Sequence, residues 1–137
     1  MTFTADQLLS IARNYWPADM ETYLRPAYFR EGHTPPGTEW VVVGCVSVLA
    51  PVYTVYGVES EYRGKKRIRD TVFYEPLPTG MRAAADVMSH RIRETFDVQA
   101  LPRALAETRI PLIVDPVMPP DTTLFHALFI SKPERVP

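Results

Sequence analysis

The stretch that decides the fold covers residues 40–58 and reads WVVVGCVSVLAPVYTVYGV, with no charged side chain. An uncharged run of this length raises the question of a membrane span. Pro51 interrupts it, however, and its valine, threonine and tyrosine residues favour pleated strands over helices. The run therefore predicts two β-strands separated near Pro51. The first is apolar on both faces, as expected for a strand in the middle of a sheet.

A β-hairpin is predicted on the C-terminal side of this stretch. The run 52–62 and the run 66–75 flank the short connection 63–65, which reads Arg-Gly-Lys. A glycine-containing connection of this length between two strand-like runs is typical of a hairpin. Two possible registers of this hairpin differ in their charge pairing.

The preferred register sets Glu61 opposite Arg67. It also sets Glu59 opposite Arg69, so that both carboxylates face a guanidinium. Sliding the strands by one residue would set Glu59 against Asp70. Because like charges directly opposite each other are destabilising, we expect the first register.

Helices are predicted before and after these strands. Thr4 and Gln7 have the spacing of a capping box, which predicts a helix over Ala5–Tyr15. Thr79 is expected to cap a second helix, and Pro102 to open a short helical turn. The apolar positions of the second helix fall on one stripe: Met81, Ala84, Ala85, Met88, Ile92 and Phe96.

Strands are predicted near the C-terminus, over 110–114 and 123–131, the second apolar on both faces. Together the elements predict an α+β fold, with a largely antiparallel sheet of about four to five strands and two main helices on one face. A chain of 137 residues and 46% hydrophobic composition is expected to form a single domain, residues 1–137.

Charge and cysteine content narrow the function classes. The formal net charge is −1, which argues against a dedicated nucleic-acid binder. Cys45 is the single cysteine, which excludes an internal disulfide framework and fits a reducing compartment. The first residues lack a signal-peptide pattern, so we expect a cytoplasmic protein with no membrane segment.

A basic cluster surrounds the predicted hairpin tip, next to Tyr62. Phosphate or single-stranded nucleic acid is one interpretation of such a cluster. Glu59, Glu61 and Asp70 lie close enough in sequence to cancel much of its field, so a solvated hairpin tip is the preferred interpretation. The cluster consists of Arg63, Lys65, Lys66, Arg67 and Arg69.

No catalytic or metal signature stands out. The histidines, His33, His90 and His126, are scattered without metal-ligand spacing, so we expect no metal, no cofactor and no catalytic residue. Cys45 lies in an apolar strand, where burial raises rather than lowers a thiol pKa.

Candidate partner-binding residues come from the aromatic, proline-rich first forty residues and from the hairpin. Tyrosine, phenylalanine and arginine are residue types that anchor protein interfaces. The alternative is that most of these rings plug the open end of the sheet. The candidates are Tyr23, Tyr28, Phe29, Arg30, Glu59 and Glu61.

Three stretches resemble small cytoplasmic immunity proteins of bacterial contact-dependent and kin-discrimination toxin systems. They read LLSIARNYWP at 8–17, RIRDTVFYEPLP at 67–78 and TLFHALFISKPERVP at 123–137. The resemblance implies a non-enzyme that binds a cognate toxin protein and inhibits it. The alternative is a small-molecule-binding or enzymatic α+β domain.

Overall fold

The structure, a computed structural model, describes residues 2–15, 27–30 and 37–135. The elements are α1 Ala5–Tyr15, β1 Ala27–Arg30, β2 Thr38–Val46, β3 Val52–Arg63, β4 Lys66–Phe73, α2 Thr79–Thr95, β5 Gln99–Ala100, α3 Arg103–Ala106 and α4 Leu124–Leu128. The sheet has the strand order β1-β2-β3-β4, all antiparallel, with a short β5 parallel to β3. The predicted α+β class and antiparallel sheet are confirmed.

The two main helices lie on opposite faces of the sheet, which corrects the prediction of one face. Val41 and Val43 of β2 pack in one buried cluster with Leu8 of α1. Val42 packs in a second cluster with Met88 of α2. Because β2 is apolar at both parities, both faces of the sheet must be covered to remove them from water.

Gly44 lets α2 approach the sheet closely. A Cβ atom built at this position would lie 2.6 Å from Met88 Sδ and 2.9 Å from Ile92 Cδ1. Any side chain here would require the Met88 and Ile92 side chains to move. The apolar stripe of α2 is confirmed as buried except for Phe96, which follows the helix and is 37% exposed.

The first helix forms as predicted, with its cap. Thr4 N–H donates to Gln7 Oε1 at 2.9 Å, and Gln7 N–H donates to Thr4 Oγ1 at 3.2 Å. The predicted cap of α2 is wrong, because Pro78 is its N-cap residue and makes no side-chain cap bond. Thr79 is already the first helical residue. The helical turn after Pro102 is confirmed as α3.

The hairpin forms, but its predicted register is wrong. The turn has two residues, Gly64 and Lys65, with φ of +65° at Gly64. Such a turn alone would leave Glu59 opposite Asp70. A bulge in β4 at Ile68 shifts the pairing by one more residue, so that Ser60 stands opposite Asp70. Ser60 Oγ donates to Asp70 Oδ1 at 2.6 Å.

The charge pairing of the observed register differs from the expected one in detail. Glu61 stands opposite Arg69 and Glu59 opposite Thr71. The turn and the bulge together therefore keep Glu59 from facing Asp70. The charge pattern alone did not indicate the bulge.

The prediction of two C-terminal strands is wrong. Leu124–Leu128 is the short helix α4, and 110–114 lies in a loop whose bridges pair Arg109 with Thr123 and Val114 with Val117. An apolar run with both parities buried also fits a helix that is covered all round. His126, predicted to lie in a strand, accepts a hydrogen bond from Thr123 N–H at its Nδ1, at 3.0 Å.

No helix in residues 2–15, 27–30 or 37–135 is long and apolar enough to cross a membrane. The stretch 40–58 is divided between β2 and β3, as predicted. The short strand β1 lies in the aromatic, proline-rich first forty residues, while Tyr23 and His33 fall outside the described residues.

Candidate functional site

A cleft of about 520 Å³ opens beside α2. The first residues of β3, the segment before α2 and the segment that contains α3 form its other sides. Tyr53, Thr54 and Val55 of β3 form its floor. One wall is α2, and the other consists of residues 74–77 and 100–106. This volume is within the range of small-molecule sites in proteins. We refer to it as the α2 cleft.

The α2 wall is a polar edge of the helix. Arg82, Asp86, Ser89 and Arg93 line the cleft at spacings of four, three and four residues, which places them along one helical face. The distance from Arg82 to Arg93 along the axis is about 16 Å. The wall therefore presents a guanidinium near each end of the cleft.

The two α2 arginines that line the cleft are held by neutral acceptors. Arg82 Nε donates to the Leu77 carbonyl oxygen at 2.8 Å, and Arg93 Nη1 donates to the Tyr53 hydroxyl at 2.7 Å. Within the described residues, no carboxylate lies within 4.0 Å of either guanidinium. Each arginine is thus oriented by one hydrogen bond while its remaining N–H groups and its charge stay available.

A third arginine enters from α3. The Arg103 guanidinium carbon lies 3.7 Å from the centre of the Tyr74 ring, and Arg103 Nε donates to Glu107 Oε1 at 2.8 Å. Burial raises the pKa of Tyr74, and the Arg103 charge opposes that shift. The Tyr74 hydroxyl therefore stays neutral at physiological pH.

Two carboxylates, Glu75 and Asp86, line the same cleft. Three guanidinium groups against two carboxylates leave a charge of +1, and Glu107 outside the cleft matches the charge of Arg103. Neither histidine nor cysteine is among the lining residues that the structure describes. The arrangement can bind a singly charged anion but holds no histidine–nucleophile pair.

The sequence pattern did not reveal this cleft. Arg82 and Asp86 have the four-residue spacing of an exposed helix pair, but Arg82 Nε donates to the Leu77 carbonyl oxygen instead. The spacing of the polar edge of α2 is visible in the sequence. The contact of this edge with Tyr53 joins Arg93 to a residue 40 positions away in the sequence. Its position opposite Arg103 depends on where α3 packs.

The predicted partner-binding residues are only partly placed. Tyr28, Phe29 and Arg30 lie in the edge strand β1, opposite Val43, Val42 and Val41 of β2. Glu59 and Glu61 lie on β3, beyond β2, so about 10 Å separates the two groups across the sheet. Tyr23 lies outside the described residues. Partner binding by these residues stays a prediction.

The basic hairpin is partly neutralised by its own neighbours. Arg67 donates from Nη2 to the Tyr62 hydroxyl at 3.2 Å, and its Nε lies 3.5 Å from Asp70 Oδ1. The Tyr62 hydroxyl in turn donates to Glu39 Oε2 at 3.1 Å. These contacts support the interpretation of a structured, solvated hairpin rather than a continuous basic surface.

The remaining titratable candidates have structural roles. His90 Nε2 contacts Glu94 Oε1 at 2.8 Å on the exposed face of α2. Burial raises the pKa of Cys45 to about 12, partly offset by a hydrogen bond with Tyr56. In the part of the chain that the structure describes, no group of three or more His, Cys, Asp or Glu side chains could hold a metal ion.

A second surface feature is the loop 109–123. Its base is closed by the Arg109–Thr123 bridge, and Val114 anchors it in the core. At its tip, Val114 and Val117 exchange two backbone hydrogen bonds of 3.0 and 2.8 Å, which brings Ile113 and Met118 opposite each other. Both are largely exposed, at 57% and 58%. Prolines at 111, 116, 119 and 120 restrict the backbone.

Comparison with known proteins returns no match to a family model, a curated protein or a solved structure. What these two surfaces do must be inferred from their own chemistry.

Proposed function

We propose that this chain is a protein-binding immunity factor that neutralises a cognate bacterial toxin by forming a complex with it. The proposal places it in the cytoplasm, without enzymatic activity or a cofactor. The observation that carries it is the exposed pair Ile113 and Met118 on the 109–123 loop. Large apolar side chains held in the open on a stiff backbone are suited to enter a partner's pocket.

The rigidity of this loop supports tight binding. Its base is bridged, its tip is closed by two backbone hydrogen bonds, and Ser131 Oγ donates to the Asp115 carbonyl at 3.2 Å. A loop that is ordered before binding loses less conformational entropy when it docks. Full burial of these two side chains against a partner would contribute about 3 kcal/mol or more to the binding free energy.

The α2 cleft favours a second candidate, a small-molecule-binding domain. Its volume and its convergent arginines fit a ligand pocket better than they fit a flat protein interface. The two candidates make different demands on the chain. Toxin neutralisation depends on the 109–123 loop, whereas ligand binding depends on the α2 cleft, none of whose described lining residues belongs to that loop.

The direct test is co-expression of this chain with the toxin-like product of a neighbouring gene in a susceptible bacterium. We expect survival with the wild-type chain and loss of protection with Ile113→Asp combined with Met118→Asp. The matched control is Val87→Asp, at a 56% exposed position on α2. Circular dichroism should show that all three proteins are folded.

Two outcomes would reject the proposal. One is killing that the wild-type chain does not reduce, although the protein accumulates in the cell. The other is protection that the loop variant retains in full, which would remove the loop from the interface. Direct binding of purified toxin domain, measured by calorimetry, separates complex formation from an indirect effect on toxin production.

A further inference from the structure

The floor of the α2 cleft contains a gap in the sheet. On this edge, β3 pairs with β5 at Val52–Tyr53 and with β4 from Gly57 onward, and Val55 belongs to neither ladder. The Tyr53 carbonyl faces this edge, because it accepts from Leu101 N–H at 2.9 Å. Alternate residues of a strand point their backbone groups the same way, so Val55 directs its N–H and C=O into the gap.

This gap offers one backbone donor and one backbone acceptor to a ligand. Val55 is only partly buried and lines the cleft. Backbone groups at a strand edge pair readily with an amide that lies alongside them. The cleft floor is therefore chemically suited to an amide group.

The walls add a preference for negative charge. The free N–H groups of Arg82 and Arg93 stand near the two ends of the cleft, on either side of the floor. Guanidinium groups bind carboxylates through two parallel hydrogen bonds. Glu75 and Asp86 keep the local charge balance close to neutral and disfavour polyanions such as nucleotides.

We propose that the α2 cleft binds a ligand with one carboxylate and one neighbouring amide, the chemistry shared by an N-acylated amino acid and the free C-terminus of a peptide. The carboxylate pairs with Arg82 or Arg93, and the amide pairs with Val55. Apolar parts of the ligand rest on Tyr53, Leu77 and Leu101. This site is independent of toxin binding at the 109–123 loop.

The first experiment uses N-acetylphenylalanine as the probe and its neutral amide, N-acetylphenylalaninamide, as the matched comparison. Nuclear magnetic resonance of the ¹⁵N-labelled full chain is expected to show a shift of the Val55 amide with the acid. A ligand of this size should bind with a Kd on the order of 1 mM. The neutral amide should bind at least fivefold more weakly, and inorganic phosphate should leave the Val55 signal unchanged.

The second experiment tests the arginines by the same titration. Arg82→Gln and Arg93→Gln remove one positive charge each, and the more important of the two should weaken binding about tenfold. Arg91→Gln is the control, because it removes the same charge from an exposed α2 position outside the cleft. Arg93→Lys keeps the positive charge but lacks the paired N–H donors of a guanidinium, so it should bind more tightly than Arg93→Gln and more weakly than the wild type.

A third titration, with the acetylated tripeptide Ac-Ala-Ala-Phe, distinguishes the two sources of this chemistry. Tighter binding than N-acetylphenylalanine indicates a peptide chain end, and weaker binding indicates a single acylated residue. Absence of any Val55 shift with all carboxylate probes at 10 mM would overturn the proposal, for which about 1 mM affinity is expected. Equal binding of the acid and its amide, or equal losses in the Arg91 control, would also overturn it.

Discussion

The Arg103 guanidinium lies over the Tyr74 ring, with its central carbon 3.7 Å from the ring centre. Tyr74 itself packs edge-to-face on Phe125 of α4 at a centroid distance of 5.3 Å. The stack therefore connects the wall of the α2 cleft to the core beneath α4. It also fixes the direction in which Arg103 presents its charge.

The cation–π stack should be measurable in a double-mutant cycle. We expect Tyr74→Leu and Arg103→Gln to show a coupling free energy of about 0.5–1 kcal/mol in urea denaturation. Tyr74→Phe keeps the ring and should retain most of that coupling. Additive effects of the two substitutions, with no coupling beyond experimental error, would show that the stack contributes nothing to stability.

His126 makes stability depend on pH. Burial, with help from the Arg103 charge, lowers its pKa below the ordinary value of about 6.5. In the window between the lowered and the ordinary value, the unfolded chain binds more protons than the folded one, so stability falls as the pH falls through that window. Protonation also removes the lone pair on Nδ1 that accepts from Thr123 N–H.

The control for this effect is His126→Gln, which keeps the spacing of a capping box without a titrating group. We expect the wild type to lose free energy of unfolding between pH 7 and pH 5 relative to this variant. Guanidinium denaturation at each pH gives the difference directly. Parallel pH profiles would contradict a neutral capping role for His126.

Thr122 is a position where removing a polar group should help. Its hydroxyl is fully buried and has no hydrogen-bond partner among the residues that the structure describes. Thr122→Val replaces that hydroxyl by a methyl group of similar size and should raise the free energy of unfolding by about 1 kcal/mol. The neighbouring change Thr123→Val should instead lower it, because the Thr123 hydroxyl lies 3.2 Å from His126 Nδ1. If neither substitution raises the free energy of unfolding, the Thr122 hydroxyl must have a hydrogen-bond partner.

Cys45 should be chemically inert in the native protein. With a pKa of about 12, roughly one molecule in 10,000 carries the thiolate at pH 8. We expect no reaction with Ellman's reagent over minutes in buffer and one equivalent in denaturant. Val48→Cys, at a 51% exposed position three residues away, should add a thiol that reacts at once. Rapid labelling of the wild type would show that β2 opens far more often than its packing indicates.

Much of the fold follows from local patterns. Thr4 and Gln7 cap α1 as their spacing predicts, and Pro51 separates two strands that are apolar on both faces. These features depend on residues close together in the chain, where sterics and hydrogen bonding act over one or two turns. The α2 stripe belongs to the same class, since helical periodicity alone places Met81 and Met88 on one side.

The errors arise where a local pattern had two solutions. The run 123–131 is apolar at both parities, which fits a central strand or a covered helix, and its Thr123–His126 cap decided for the helix. The hairpin register depended on a bulge at Ile68 that nothing in the charge pattern indicates. In the first case a local cap selected the solution, and in the second a two-residue turn with a bulge did so.

The sequence by itself determined the α+β class, the capped first helix, the central strands and the inert position of the cysteine. Only the tertiary structure decided that the sheet is covered on both faces, that Arg93 reaches Tyr53 and that Val55 is left open in the floor of a cleft. The physical reason is the distance in sequence over which each interaction acts. Periodicity and caps act between residues a few positions apart, whereas a cleft is made by side chains that come together only when the whole chain has packed.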